Sequence, residues 1–415
     1  MLTSRERVMR AVSFQPVDRV PRDLAGMRST GISTFAYPRL VEALGLPPRL
    51  PRVEDTGQML ALPDPDVLDA LGIDVVTIAD GATNAIEQPG LWQTYDFAGR
   101  LPALVRNPGA FRALPDGTIL QGSGQTIFEG RTRMPPSSYV FDEAHGGQPL
   151  DLMGDLPKPD LDQVRRHMEA RLLTDAQIEA KRELCQQVRE ASDRAVFYND
   201  GAAQMPIAIG GWGGLGVFPL LCVLEPDLVR DLHEIYTEYT EQNIRRLLGA
   251  VGPYVDVVMM AADDWGTQNT TIASPKVCRE LFVPFWRRLN DAAHEVAPDT
   301  KTFLHSCGAI YDVIDLVIEG GFDILNPVQW CAGNHSYREW KDRARGRIAL
   351  WGGGVDSQHT LPLGTVDEVV AQVSEVVPYL AEDSGYVFCN IHNITAEIAP
   401  EKAIAMYRAA GDIQL

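Results

Sequence analysis

The sequence predicts an α/β protein built as a (β/α)8 TIM barrel with a β-rich insertion in its N-terminal third. Three observations predict it. Short β-branched runs alternate with amphipathic stretches, as a parallel sheet covered by helices requires. The runs number eight, the count of strands in such a barrel. Ligand-type residues gather where the runs end, which is where the loops of a barrel converge.

Taken in order, residues 20–24 form the first and weakest run, followed by 75–78, 195–198, 255–260, 302–304, 324–325, 348–351 and 386–388. Helical periodicity separates the later ones. Ile310, Val313, Ile314, Val317 and Ile318 follow the rhythm of one helix face, and Val366, Val369, Val370, Val373, Val377 and Leu380 repeat it. The stretch 92–159 breaks the alternation. Pro115-Asp116-Gly117, Gly122-Ser123-Gly124, Pro135-Pro136 and Gly146-Gly147 mark turns between short β-like pieces, so this stretch is expected to be an insertion over the barrel mouth. Leu156-Pro157-Lys158-Pro159-Asp160 reads as a rigid connector into a helical stretch at 161–193. No internal repeat interrupts the chain, and 1–415 is read as one elaborated domain.

Composition narrows the function classes. With 415 residues, 45% of them hydrophobic, the chain can bury a large core. Lys and Arg number 37 against 56 Asp and Glu, a net charge of −19, which disfavours nucleic acid and anionic membrane as partners. No run approaches the roughly twenty apolar residues of a membrane span, and the N-terminus lacks a secretory apolar region. A soluble, cytoplasmic protein is expected. The six cysteines are scattered rather than arranged as a disulfide framework, which predicts reduced thiols.

The most informative stretch is His305-Ser306-Cys307, where an apolar strand runs into Gly308. Strand side chains alternate, so positions 305 and 307 point to one side and can meet one ion. The competing reading is a hydrogen-bonded core histidine beside a small buried thiol. A third ligand is sought in the last strand end, Cys389-Asn390-Ile391-His392-Asn393. Three residues of separation do not force Cys389 and His392 to one side; His392 is preferred and Cys389 stays open. Three protein ligands with one open position favour catalysis over a closed structural site. Cys331 and His335 are a looser reserve pair.

Other strand ends are also polar: Asp263-Asp264, Asn326 with Gln329, and Asp80. Adjacent Asp263 and Asp264 point apart in extended chain, so they are not expected to share a proton. Asp264 followed by Gln268 is the functional pair of choice, and helix capping near Ser274 is the competing role. Gly211, Gly213 and Gly216 match a dinucleotide-loop spacing, but they sit mid-chain with Pro219 following at once, which favours a plain loop. Neither a phosphate loop nor a nucleophile elbow is found.

These motifs resemble the uroporphyrinogen decarboxylase superfamily over nearly the whole chain. The resemblance rests on Thr3-Ser4-Arg5-Glu6-Arg7-Val8 with Pro16-Val17-Asp18-Arg19-Val20-Pro21, on Asp264-Trp265-Gly266-Thr267-Gln268, and on His305-Ser306-Cys307-Gly308. It continues through Asp323-Ile324-Leu325-Asn326-Pro327-Val328-Gln329, Gly353-Gly354-Val355-Asp356 and His392-Asn393-Ile394. It implies a (β/α)8 barrel, in agreement with the run count, and substrate contacts at Arg28, Asp80, Asp264, Gln268, Asn326, Gln329 and Asp356.

Two branches of that superfamily make different demands. The tetrapyrrole decarboxylases use two arginines near the first strand to receive substrate carboxylates and need no metal. Here Met27-Arg28-Ser29-Thr30-Gly31-Ile32 keeps the first and places Ile32 where the second belongs, which leaves a polyanion poorly paired. The cobalamin-dependent methyltransferase branch holds zinc with H-x-C and a later Cys or His. That resemblance implies zinc on His305, Cys307 and His392 or Cys389, with Asp264, His305 and Cys307 as the catalytic group. A methyl group would pass between a small-molecule donor or acceptor and a corrinoid cobalt. The corrinoid-cradling D-x-H-x-x-G pattern finds only Asp231-Leu232-His233 with Tyr236 in the glycine place, so cobalamin is expected on a separate corrinoid-binding protein. The alternatives are a metal-independent decarboxylase contacting substrate through Arg28 and Asp80, and a non-enzymatic barrel that binds metal or a corrinoid protein. Assembly into a homo-oligomer is left open.

Overall fold

The computed structural model describes residues 2–122, 132–143 and 156–413. At its centre is one curled sheet of eight strands. Seven are parallel and adjacent in chain order: Val75–Ala79 (β1), Ala195–Asn199 (β2), Val257–Ala262 (β3), Lys301–His305 (β4), Ile324–Asn326 (β5), Ala349–Trp351 (β6) and Tyr386–Val387 (β7). The eighth, Ala82–Thr83, folds back antiparallel onto β1.

The expected first run at 20–24 is not a strand. Pro21 has no amide hydrogen, so this stretch cannot carry a full ladder on both sides. It makes an isolated parallel bridge instead, Arg22 to Phe388. Even so, residues 21–23 join the two margins of the parallel set. Phe388 N donates to Pro21 O at 2.8 Å and Asp23 N to Phe388 O at 2.8 Å, while Asp74 N, beside β1, donates to Arg22 O at 2.8 Å. The buried Asp74 carboxylate also receives Arg7 and Arg19 at 2.8 and 2.7 Å, tying the N-terminal segment to the sheet.

Period-two alternation sorts the strand residues into two cores. Val75, Phe197, Val257, Met259, Phe303, Ile324, Ala349, Trp351, Val387 and Cys389 share an inner cluster. Phe197, Phe303 and Trp351 meet there edge to face, with ring centroids 4.9 to 5.8 Å apart. Helix Ser4–Val12 adds Val8 and Val12 to the same cluster. The alternate residues, among them Val76, Tyr198, Val258, Leu304, Leu325 and Leu350, pack in the larger cluster with the helices.

Among those helices, Pro226–Val251 packs on Val283–Val296, and Thr365 and Ser336 start theirs with capping boxes. The 161–193 stretch proves to be two helices, Leu161–Ala170 and Asp175–Ala191, because Thr174 caps a second start. The expected helix at 310–318 opens with a tighter turn, Tyr311–Val313, before Ile314–Glu319. The Gly211, Gly213 and Gly216 segment is a loop before helix Phe218–Leu224. His233 lies inside helix Pro226–Val251, fully buried against Phe218 and Phe282. Among the described residues, no helix is long and apolar enough to cross a membrane.

Between residues 93 and 143 the described chain forms antiparallel pairs, Gln93–Asp96 with Pro102–Val105, and a four-stranded sheet from Phe111–Ala113 to Asp142–Glu143. Phe97, Phe111, Ile119, Met134 and Phe141 give this part its own small core. Pro115-Asp116-Gly117 is a hairpin turn as its residues predict, with Gly117 at φ 84°. Ser123-Gly124 and Gly146-Gly147 lie outside the described residues.

Candidate metal centre

His305 is the last residue of β4, and Cys307 follows in the turn opened by Gly308 at φ 89°. Their side chains meet, with Cys307 Sγ 3.2 Å from His305 Nε2. His392 arrives from the loop after β7, its ring centroid 5.8 Å from that of His305. One donor atom from each of the three residues lies within 4.8 Å of the other two. Cys389 is outside the group. It is fully buried in the inner cluster beside Val387 and Trp351, because the strand alternation that sends Val387 inward does the same for residue 389.

Neighbouring strand ends hold the pair in place. His305 Nδ1 bonds Asn326 Oδ1 at 2.6 Å, and Asn326 Nδ2 donates to Trp351 O at 2.8 Å. Since that amide oxygen can only accept, the proton sits on Nδ1 and the Nε2 lone pair faces Cys307. Asn326 is therefore a fully buried orienting residue rather than the substrate contact expected from its strand-end position. Asp264 Oδ1 accepts from Cys307 N at 2.9 Å and lies 3.6 Å from His305 Nε2. Gln329 Oε1 accepts from Gly308 N at 2.7 Å, so Gln329 also shapes the turn.

The turn depends on two glycines in mutual contact. A Cβ on Gly266 would lie 2.4 Å from Ala309 N, and one on Gly308 would lie 2.4 Å from Gly266 C and O. This contact brings the Asp264 loop onto the Cys307 loop. The His392 loop is held from the other end of the chain. Gly31 N donates to Asn393 Oδ1 at 2.7 Å across 362 residues of sequence, and Ile394 N donates to Gly31 O at 2.9 Å.

Burial sets the protonation of the three donors. It lowers the His305 pKa and, with His305 alongside, takes His392 down to about 4. Burial, reinforced by the Asp264 carboxylate, pushes the Cys307 thiol up. Both imidazoles are thus neutral near neutral pH, and the thiol is protonated until a cation stabilises its anion.

The remaining sequence candidates take other positions. Arg28 is held by Glu54, Asp55 and Asp80 at 2.9, 3.2 and 2.5 Å, and Asp80 also accepts from Gly201 N. Glu54, Asp55 and Arg106 were not legible in the sequence, since their pairing with Arg28 and Asp80 is long-range. Gln268 exchanges hydrogen bonds with Gln358 at 2.8 and 3.1 Å. Asp356 serves its own turn, accepting from Gln358 N and His359 N. Asp263 caps nothing. Buried, with its pKa raised to about 7, it accepts from Ile209 N and Trp265 Nε1, while Ser274 caps the following helix. Of the reserve pair, His335 stacks on Tyr311 at 3.7 Å. Burial and the neighbouring Asp356 carboxylate push the Cys331 thiol up to about 12.

Comparison with known proteins agrees with this architecture. A methyltransferase from Methanosarcina mazei superposes with a TM-score of 0.56 at 16% identity, covering 99% of this chain and 98% of its own, and so shares the fold. A psychrophilic glycoside hydrolase family 10 endo-beta-1,4-xylanase reaches a TM-score of 0.34 at 9% identity, covering 58% of this chain and 82% of its own. That likeness is too slight to argue from. No curated protein matches the chain. Residues 214–413, which carry β3 to β7 and all three donors, match the model for uroporphyrinogen decarboxylase (URO-D).

Proposed function

We propose that the protein is a zinc-dependent methyltransferase moving a methyl group between a small substrate and a corrinoid cofactor, cobalamin, carried by a partner protein. In this reading the curled sheet is a closed (β/α)8 barrel in a single domain, residues 92–159 cover its mouth, and the enzyme works in the cytoplasm. The observation that carries the proposal is the convergence of His305, Cys307 and His392.

The donor set fits zinc. Two neutral imidazoles and a thiol are borderline-soft donors suited to it, and three protein ligands leave a position for substrate. Asn326 supplies the hydrogen bond that zinc-binding histidines ordinarily make through their second nitrogen. Zinc, when bound, would polarise the heteroatom that carries or receives the methyl group. The chain's own residues do the rest. Asn326 orients His305, Asp264 fixes the Cys307 backbone, and the Asp264 carboxylate, its side chain 56% exposed, offers a proton acceptor beside the site. The decarboxylase alternative is disfavoured by Arg28, whose guanidinium is already matched by three carboxylates.

Two measurements on purified protein test the proposal. Zinc is expected at about one per chain, and cob(I)alamin is expected to become methylated when a methyl donor is supplied. Protein without stoichiometric zinc, or turnover of a carboxylated porphyrinogen by zinc-free enzyme, would overturn it. The orienting role of Asn326 gives a graded check. Asn326→Ala is expected to weaken zinc binding about 10- to 100-fold, whereas Gln268→Ala leaves it unchanged; competition with a chelator reads both.

A further inference from the structure

Helix Pro400–Gly411 packs on helices Val366–Ala381 and Tyr37–Ala43 and buries Ala403, Met406, Tyr407 and Ala410. Its other side borders an open groove of about 510 Å³, lined by Glu401, Ile404, Ala405 and Arg408 of this helix and by Val366 and Val370 of its neighbour. We infer that this groove seats a second copy of the chain. The two Pro400–Gly411 helices lie antiparallel across a two-fold axis that passes between Ile404 and Ala405.

The spacing of the helix carries this. Positions 401, 404, 405 and 408 share one helix face. About an axis midway along them, antiparallel pairing sets position 401 of one copy opposite 408 of the other, and 404 opposite 405. Glu401 of each copy thus meets Arg408 of the other, and both copies present the same surface, as a closed two-fold interface requires. Among the described residues neither side chain makes a hydrogen bond or ion pair within its own chain. Glu401 stands in the first turn and Arg408 in the last, so antiparallel neighbours oppose their helix dipoles as well as their side chains. Asp412 also lines the groove but lies past the paired stretch. At the axis the small Ala405 allows close approach of the two backbones.

Apolar surface continues beside the groove. Val366 is 38% exposed and Leu363 78%, the highest value for a large hydrophobic residue among those described. Lys402 fixes the short helix that carries Leu363, donating to Leu361 O and Pro362 O at 3.2 and 2.9 Å. Surface of this kind marks a protein contact.

Charge decides the occupant. Chains of net charge −19 repel one another in general, yet over the paired stretch this face offers one charge of each sign. A strongly basic partner would leave Arg408 unmatched and a strongly acidic one Glu401, whereas a second copy matches both. None of the three metal donors lines the groove, so substitutions here leave the candidate metal centre untouched.

Sedimentation velocity of the full chain over a concentration series tests the inference. The wild type is expected to reach the mass of two chains at micromolar concentration. Glu401→Arg or Arg408→Glu alone sets like charges opposite each other at both symmetric contacts and is expected to raise the dimer dissociation constant about tenfold or more. The double variant Glu401→Arg with Arg408→Glu reverses both signs together and is expected to return within about threefold of the wild type. Both positions are exposed, so the variants are expected to fold, which far-UV circular dichroism checks. A monomer at every concentration, a dimer indifferent to the single reversals, or a double variant that stays dissociated would overturn the inference.

Discussion

Cys307→Ala is expected to abolish stoichiometric zinc and, with it, methylation of cob(I)alamin, while the far-UV circular dichroism spectrum stays unchanged. Cys307 is the only thiol in the donor group, and two imidazoles alone make a far weaker zinc site. Its pH behaviour is equally specific. Burial keeps His305 below its ordinary pKa and His392 at about 4, so neither imidazole must lose a proton for metal to bind at neutral pH and above. The Cys307 thiol, pushed up by burial and Asp264, must lose one. Zinc affinity is therefore expected to rise about tenfold per pH unit between about pH 7 and pH 8, because one proton leaves as one metal binds. Titrations with a chromophoric chelator at several pH values measure the slope. A slope near two or three would mean that the imidazoles are protonated in the free protein, contrary to the burial argument.

Gly308→Ala is expected to be among the most destabilising single methyl additions in the chain. The new Cβ would stand 2.4 Å from Gly266 C and O and 2.6 Å from Gly266 Cα, all backbone atoms that cannot rotate away. Overpacking of this kind costs about 1–3 kcal/mol, and a non-glycine residue forced to a left-handed φ, here 89°, costs about 1–2 kcal/mol more. A loss of about 2–5 kcal/mol is anticipated, read as a lower urea midpoint. Relief of the clash requires the Asp264 and Cys307 loops to part, so zinc affinity is expected to fall along with stability. Gly31→Ala is a suitable contrast. Its Cβ would lie 3.2 Å from Asn393 Oδ1, a side-chain atom that can yield, and a smaller loss is expected. Equal midpoints for wild type and Gly308→Ala would contradict the close-contact account.

The legible part of the molecule is the part governed by local periodicity. The runs at 75–78, 195–198, 302–304 and 324–325 became strands because a parallel sheet buried on both faces needs uninterrupted β-branched text. H-x-C could be read as a ligand pair because its spacing matches the strand period. Three things were hidden. The third donor turned on where β7 ends: Cys389 keeps the inward strand alternation, whereas His392 lies past it, and no local signal marks that boundary. The 20–24 stretch carries strand-like residues, yet the missing donor of Pro21 reduces it to a bridge. Asn326 and Arg28 looked like substrate contacts by position. Their actual partners, His305 and the carboxylates Glu54, Asp55 and Asp80, lie 21 to 52 residues away or come from separate loops, beyond the reach of any periodicity.

The hydrogen bond from Gly31 to Asn393 has a consequence for how the site is assembled. His305 and Cys307 share one turn and can meet early, but the loop that carries His392 is pinned by residues near the opposite end of the chain. One member of the donor set therefore depends on the seam where the first and last segments join, a contact with a high loop-closure cost. On the zinc reading, metal would act as a clasp, favouring chains whose two ends have met over those still open. Uptake of metal would then double as proofreading of assembly: a chain cut between Gly31 and the rest would keep two ligands in place and let the third drift.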